Sequence, residues 1–152
     1  MPNTSKSCTT EQQLAEKEIA NNFIQKYTLI PQKPIFPETF SAKLDGSYQN
    51  SAGEWIFVEI YAHQGTLKSA QRQKVCTDIL KLITAEKILN QPVRKYILFG
   101  SDEAMKCFQN NSWHRKAVDK WDIKLEIGEL SEQSKQNLKV AQARQKMVNA
   151  AD

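Results

Sequence analysis

Apolar and polar positions change period several times along the chain. Over residues 10–27 (TEQQLAEKEIANNFIQKY), Leu14, Ile19, Phe23 and Tyr27 form a partial helical stripe. Thr10 with Gln13 three residues later has the form of a capping box. Pro31, Pro34 and Pro37 then forbid helix and predict an extended connector. Residues 39–49 alternate. Phe40, Ala42, Leu44, Gly46 and Tyr48 point one way, and Ser41, Lys43, Asp45, Ser47 and Gln49 the other, as in a half-buried strand. Residues 50–53 (NSAG) predict a turn, and residues 54–63 (EWIFVEIYAH) the strongest strand of the chain, so that the two strands form an antiparallel hairpin.

The period then lengthens. Residues 66–89 predict a long helix capped by Thr66, with Val75, Cys76, Ile79, Leu80, Leu82 and Ile83 as its buried stripe. Pro92 closes that region, and residues 94–100 (RKYILFG) predict a short strand of the buried, parallel type. Ser101-Asp102-Glu103 starts a helix reaching about Phe108, with its acids at the positive end of the helix dipole. Asn110-Asn111-Ser112 breaks that helix, and His114 falls in the loop that follows. Residues 121–127 (WDIKLEI) alternate as another strand, and Ser131 caps a last helix running to about Val148. Strands interleaved with helices predict an α/β fold, a mixed central sheet flanked by helices. The expected organisation is a polar tail over residues 1–10 and one domain over 11–152.

Composition narrows this picture. The 152 residues suit one domain with a real core. No apolar run approaches the ~18 residues of a membrane span, and the first ten residues lack the apolar stretch of a secretory signal. Cys8, Cys76 and Cys107 are an odd set without C-x-x-C spacing, which argues against a disulfide framework or a zinc site and for a reduced, cytoplasmic protein. Residues 1–60 carry seven acids and five bases; residues 61–152 carry ten acids and sixteen bases. Such a basic half suits a phosphate backbone, and equally a solvated lysine-rich surface.

Candidate chemistry sits on the strand Trp55–His63. Ile56, Val58, Ile60 and Ala62 make one apolar face; Trp55, Phe57, Glu59, Tyr61 and His63 make the other. A carboxylate among these rings costs free energy unless it is paired or metal-bound. A turn at 50–53 brings Asp45 roughly opposite Val58 and Glu59, so two carboxylates converge. Mg²⁺ or Mn²⁺ is commonly held by one or two carboxylates plus substrate phosphate. The plainer reading is an Asp-Gly turn and a strand glutamate paired with a lysine. His63 shares the Glu59 face and suits a phosphate contact or a base near neutral pH. Lys135, Lys139, Arg144 and Lys146 make the last helix basic, and its thin apolar set of Leu138, Ala141 and Val148 suits nucleic acid or a homodimer contact. Trp113 and Trp121 read as core or rim residues. The sequence has no P-loop, dinucleotide fingerprint, G-x-S-x-G or H-E-x-x-H motif.

An Asp at the end of one strand, a Glu in the next, then a helix and a buried strand resemble the core of the PD-(D/E)XK, or restriction-endonuclease-like, nucleases. Residues 11–100 follow that order, and the stretch EIYAHQGTLKSAQRQKVCTDILKL (59–82) is similar to segments of bacterial proteins of that superfamily. The resemblance implies a restriction-endonuclease-like core, Asp45 and Glu59 as metal ligands, Mg²⁺ or a similar ion, and hydrolysis of nucleic acid, with DNA as the expected substrate. It also implies a first meander strand, expected near Ile35–Phe36, and an acid on the first helix, for which Glu16 and Glu18 are available. The family's lysine position holds Tyr61, and Leu44 stands where a proline precedes the Asp. Some members carry that lysine on the following helix instead. There Gln71, Lys74, Asp78 and Lys81 form a polar stripe, with Lys68 one turn earlier. Lys74 ranks first as the replacement and Lys68 second, with Gln71 between them; the same stripe also reads as a solvated helix face. The expected function is a metal-dependent nuclease. The alternative is a non-catalytic module of the same fold that binds nucleic acid or a protein partner.

Overall fold

The computed structural model describes residues 10–151; the tail expected at residues 1–10 lies, apart from Thr10, outside the described residues. The elements are α1 (Thr10–Tyr27), β1 (Ile30–Pro31), β2 (Gly46–Gln49), β3 (Trp55–Tyr61), α2 (Ser69–Leu89), β4 (Val93–Phe99), α3 (Asp102–Lys106), α4 (Trp113–Lys120), β5 (Ile123–Ile127) and α5 (Glu132–Ala151). The strands form one mixed sheet in the order β1-β2-β3-β4-β5. β1–β2 and β2–β3 are antiparallel, whereas β3–β4 and β4–β5 are parallel. A helix, a three-strand meander, a helix and a parallel strand follow the order that the sequence resemblance implied, with further helices and an edge strand after them.

Each sheet face has its own core. Phe57, Ile97, Phe99 and Ile123 pack against Val75, Ile79, Leu82 and Ala85 of α2, with Phe108 and Val118 closing one end. Ile56, Val58, Ile60, Tyr96 and Leu98 pack on the other face against Ala15, Ile19 and Phe23 of α1 and Leu138 of α5. β3 is therefore buried on both sides, as its greasy composition requires.

Several boundaries differ from the sequence expectation. Only Gly46–Gln49 of the expected strand 39–49 pairs with β3; the preceding residues run irregularly beside it. The first meander strand is Ile30–Pro31, before the second and third prolines, and not Ile35–Phe36. Thr66 does not cap α2. Leu67 is buried instead, and the helix begins after Lys68, whose backbone N–H donates to the Gln71 side chain at 2.8 Å. His114 lies in a helix, α4, rather than a loop. Trp113, 66% exposed, stacks on His114, and Trp121 is exposed as well, so both are rim residues. The helical stripes hold at Ile19, Phe23, Val75, Ile79 and Leu82 and differ at single positions. Ala15 replaces Leu14 in the α1 core, and Asp78 and Ala85 stand in the buried set of α2 while Leu80 is exposed. Val148 is also exposed, leaving Leu138 and Ala141 as the buried apolar residues of α5. Ser101 caps α3 as expected, accepting the Ala104 N–H at 3.2 Å. Cys76 and Cys107 are free thiols. Among the described residues no helix is long and apolar enough to cross a membrane.

The β3–α2 loop is stapled from two sides. The Gln64 amide donates to Gly100 O at 2.7 Å, and Ser101 Oγ accepts the Gly65 N–H at 3.2 Å. From α5, Gln142 accepts the Gln64 N–H at 2.9 Å and donates to Gln64 O at 3.0 Å. Gly65 has φ 93°, a left-handed conformation that favours glycine. Gly100 is needed for space: a Cβ there would stand 2.3 Å from Ala62 O, a backbone atom that cannot turn away. Gly100→Ala is therefore expected to destabilise the fold by on the order of 1–3 kcal/mol, measured by urea unfolding, through forced backbone movement.

Candidate functional site

β3, α2 and the segment before β2 bring polar groups together over the middle of the sheet. Since β3 and β4 are parallel, α2 must run back antiparallel to both. Its first turns stand beyond the end of β3, and its later turns pass over the strand's centre. Glu59 lies at that centre, in register with Ile97, and is only 1% exposed. Asp45 precedes Gly46, which pairs with Val58, so Asp45 comes alongside Glu59 on the α2 side of the sheet. Asp45 Oδ2 accepts the Ile60 backbone N–H at 2.9 Å, which fixes its orientation.

Lys81 Nζ stands 2.5 Å from Glu59 Oε1 and donates to Lys43 O at 2.9 Å. One ammonium thus lies against the buried acid and tethers the segment carrying Asp45. The Lys81 contact is close but off-axis, and neither Glu59 oxygen has an aligned hydrogen-bond donor among the described residues. Burial is the largest cause pushing the Glu59 pKa up to about 9. The adjoining Asp45 carboxyl adds to it, and Lys81 only partly opposes it. Asp78, buried on α2, holds Lys74 Nζ at 2.8 and 3.0 Å. Burial raises the Asp78 pKa, against the pull of Lys74 and Lys81.

Glu16 of α1 is half-buried and accepts the Gln12 amide at 3.2 Å; burial raises its pKa, and Asp45 and Asp78 are near enough to add to the rise. Glu18 does not join them. It accepts the Ser131 N–H at 2.6 Å and the Ser134 hydroxyl, and so secures the start of α5.

A cleft of about 670 Å³ opens beside this cluster, between the end of β3, the first turns of α2 and the face of α5. Tyr61, His63, Lys68, Gln71 and Lys74 line it. Of the candidates read from sequence, Asp45 and Glu59 thus meet at the acid pair. Lys74 stands beside them and in the cleft, while Lys68, Gln71 and His63 stand in the cleft. His63 lies 3.4 Å from the Gln71 amide nitrogen, and burial followed by the Lys68 charge lowers its pKa, so its ring is neutral near pH 7.

Sequence alone does not single out Lys81 and Asp78 as the α2 groups nearest Glu59, although both belong to the polar stripe. The signal that finds them is helix direction: the turns nearest Gly65 in sequence are not those nearest Glu59 in space. The part played by α5 in the cleft was also not foreseen.

The donor set fits a divalent cation held partly by solvent or substrate. Two convergent carboxylates, one with both oxygens lacking an aligned donor, favour a positive charge between them, and hard cations take oxygen ligands of this kind. No group of three or more His, Cys, Asp or Glu side chains among the described residues forms a closed metal cage.

No family model and no curated protein matches this sequence. Two solved structures are similar to it. A repair endonuclease from Pyrococcus abyssi aligns at TM-score 0.47 and 15% identity, over 76% of this chain and 46% of that one. EndoMS in its apo form aligns at TM-score 0.40 and 14% identity, over 82% and 48%. The chain spans about half the length of either.

A raised Glu59 pKa has a stability consequence. Between the ordinary carboxylate pKa and about 9 the folded state retains a proton that the unfolded state has lost, so stability falls as pH rises through this window. Glu59→Gln removes this cost. It is expected to raise Tm at pH 8 by an amount worth on the order of 1 kcal/mol or more, with the gain vanishing towards pH 4. Thermal unfolding of both proteins across this range checks the sign.

Proposed function

We propose that this chain is a divalent-metal-dependent hydrolase of phosphodiester bonds in nucleic acid, with DNA as the first substrate to test. The supporting observation is the convergence of Asp45 with the buried, donor-poor Glu59 at the edge of a lysine-lined cleft. In this reading Asp45 and Glu59 hold Mg²⁺ or Mn²⁺. The ion, when bound, supplies Lewis acidity toward the phosphate and lowers the pKa of water. The backbone N–H of Ile60 orients Asp45, and Lys81 keeps Glu59 and the Asp45 segment in place. Lys74, exposed on the cleft side, faces the scissile phosphate and stabilises the charge that builds there, replacing the lysine absent at Tyr61. Lys68 and Gln71 bind the neighbouring phosphate. Neutral His63 is available to take a proton from the attacking water.

A second reading has a specific observation behind it. Tyr61 carries no charge at neutral pH, and Lys81 already sits against Glu59, as it would in a module that has given up its metal and only binds nucleic acid or a protein partner.

Purified protein is expected to degrade or nick nucleic acid with Mg²⁺ or Mn²⁺ and to stop on addition of EDTA. Glu59→Ala should abolish this. Lys74→Ala should slow single-turnover cleavage by about 10²-fold, with part of the rate restored by adding Tyr61→Lys. Cleavage that survives Glu59→Ala would remove the acid pair from the mechanism, and an inactive wild type that still binds would favour the second reading.

The ion itself can be followed without turnover. Mn²⁺ should raise the Tm of the wild type in a concentration-dependent way, and Asp45→Asn should lose most of that shift. An equal shift in both proteins would place the ion elsewhere.

A further inference from the structure

The cleft beside the acid pair is small, cationic and rich in amides. Its volume of about 670 Å³ is that of a site for one small ligand (~300–1,000 Å³) and leaves no room for the width of a double helix. Lys68 and Lys74 reach it from α2 and Lys146 from α5, and no Asp or Glu among the described residues lines it. Tyr61 and His63 stand side by side on one wall, ring centroids 5.9 Å apart and planes 39° from parallel.

The opposite wall carries Gln145 and Asn149, one turn apart on α5. Unlike Gln142, which is committed to the Gln64 backbone, neither has a hydrogen-bond partner among the described residues. An amide side chain both donates and accepts, as the edges of nucleobases do. Aromatic rings offer a stacking surface, and lysines suit the phosphates on either side of a base. In a duplex the pairing edge is already occupied and the ring faces are stacked. Such a constellation serves a nucleotide that is unpaired.

We propose that this cleft binds one unpaired nucleotide of a single-stranded segment. Its base lies against Tyr61 and His63 within reach of Gln145 and Asn149, and its flanking phosphates lie toward Lys68, Lys74 and Lys146. The inference deepens the nuclease reading and rests on it for the class of ligand. It selects single strands, strand ends or flaps over continuous duplex. DNA and RNA share the chemistry named here.

The test is fluorescence anisotropy of the full chain with a labelled mixed-sequence DNA single strand, its blunt duplex and the RNA strand of the same sequence. It is run in EDTA, so that no metal-dependent cleavage intervenes. A single strand of either sugar type should bind at least about tenfold more tightly than the duplex, and the tighter of the two identifies the source. Lys146→Glu should weaken single-strand binding by about tenfold. A single strand carrying 2-aminopurine should lose fluorescence on binding the wild type, a readout that does not depend on how any variant folds. Equal or tighter duplex binding, or unquenched 2-aminopurine, would overturn the proposal. The two readings fail separately. Single-strand binding by a protein that hydrolyses nothing overturns hydrolysis alone, whereas cleavage of duplex at parity with single strand overturns the cleft assignment alone.

Discussion

Burying a carboxylate at the centre of a strand that is apolar on both faces constrains every element around it. Glu59 has Phe57 and Tyr61 as same-face neighbours along β3 and a helix above it, so water cannot solvate it. The helix has to supply polar groups where an ordinary crossover helix would place leucines. This is why the buried set of α2 includes Asp78, and why Lys81 extends inward rather than to solvent. The segment before β2 is irregular for the same reason: it must bring Asp45 and the Lys43 carbonyl within reach of the same ammonium. An isolated buried charge is strongly unfavourable, and a partly neutralised one remains costly. The fold tolerates that cost because the two apolar layers on either side of the sheet are extensive.

Precision at such a site requires that α2 neither slide nor rotate. A second buried ion pair secures its far end. Lys95 of β4, itself almost fully buried, meets Glu86 at 2.7 Å, and the other Glu86 oxygen accepts the Val93 N–H at 3.0 Å. Thus Lys81 ties the middle of α2 to β3, and Glu86 ties its last turns to β4. Each clip joins the helix to a different strand, which fixes both its height over the sheet and its rotation about its own axis.

What could be read in the sequence follows the range of the interactions involved. Strand β3 and helices α1 and α2 announce themselves through their local sequence, as do the α3 cap at Ser101 and the α5 start at Ser131. The pairing of Asp45 with the centre of β3 follows from a short turn and was legible to within a residue. Features set by distant packing were not. Leu14 and Leu80 look like core residues, yet both are exposed, because Ala15 lies in line with Ile19 and Phe23, and Asp78 and Ala85 with Val75 and Leu82. Helix α4 is only eight residues long with Val118 as its buried residue, too short a stretch to declare itself, and its position beside Phe108 and β5 reveals it. Lys81 required knowing which way α2 runs, a property of sheet topology rather than of any short window. The wall supplied by α5 depends on a contact spanning 78 residues, between Gln64 and Gln142.

That last contact also orders events during biosynthesis. The sheet, α1 and α2 are all translated before residue 132, and their two apolar layers can begin to form while the remainder of the chain is still being made. The loop after β3 gains its clamp, and the cleft its second wall, only once Gln142 has emerged from the ribosome. A nascent chain therefore carries its acid pair for some time without an enclosed groove beside it, until α5 packs.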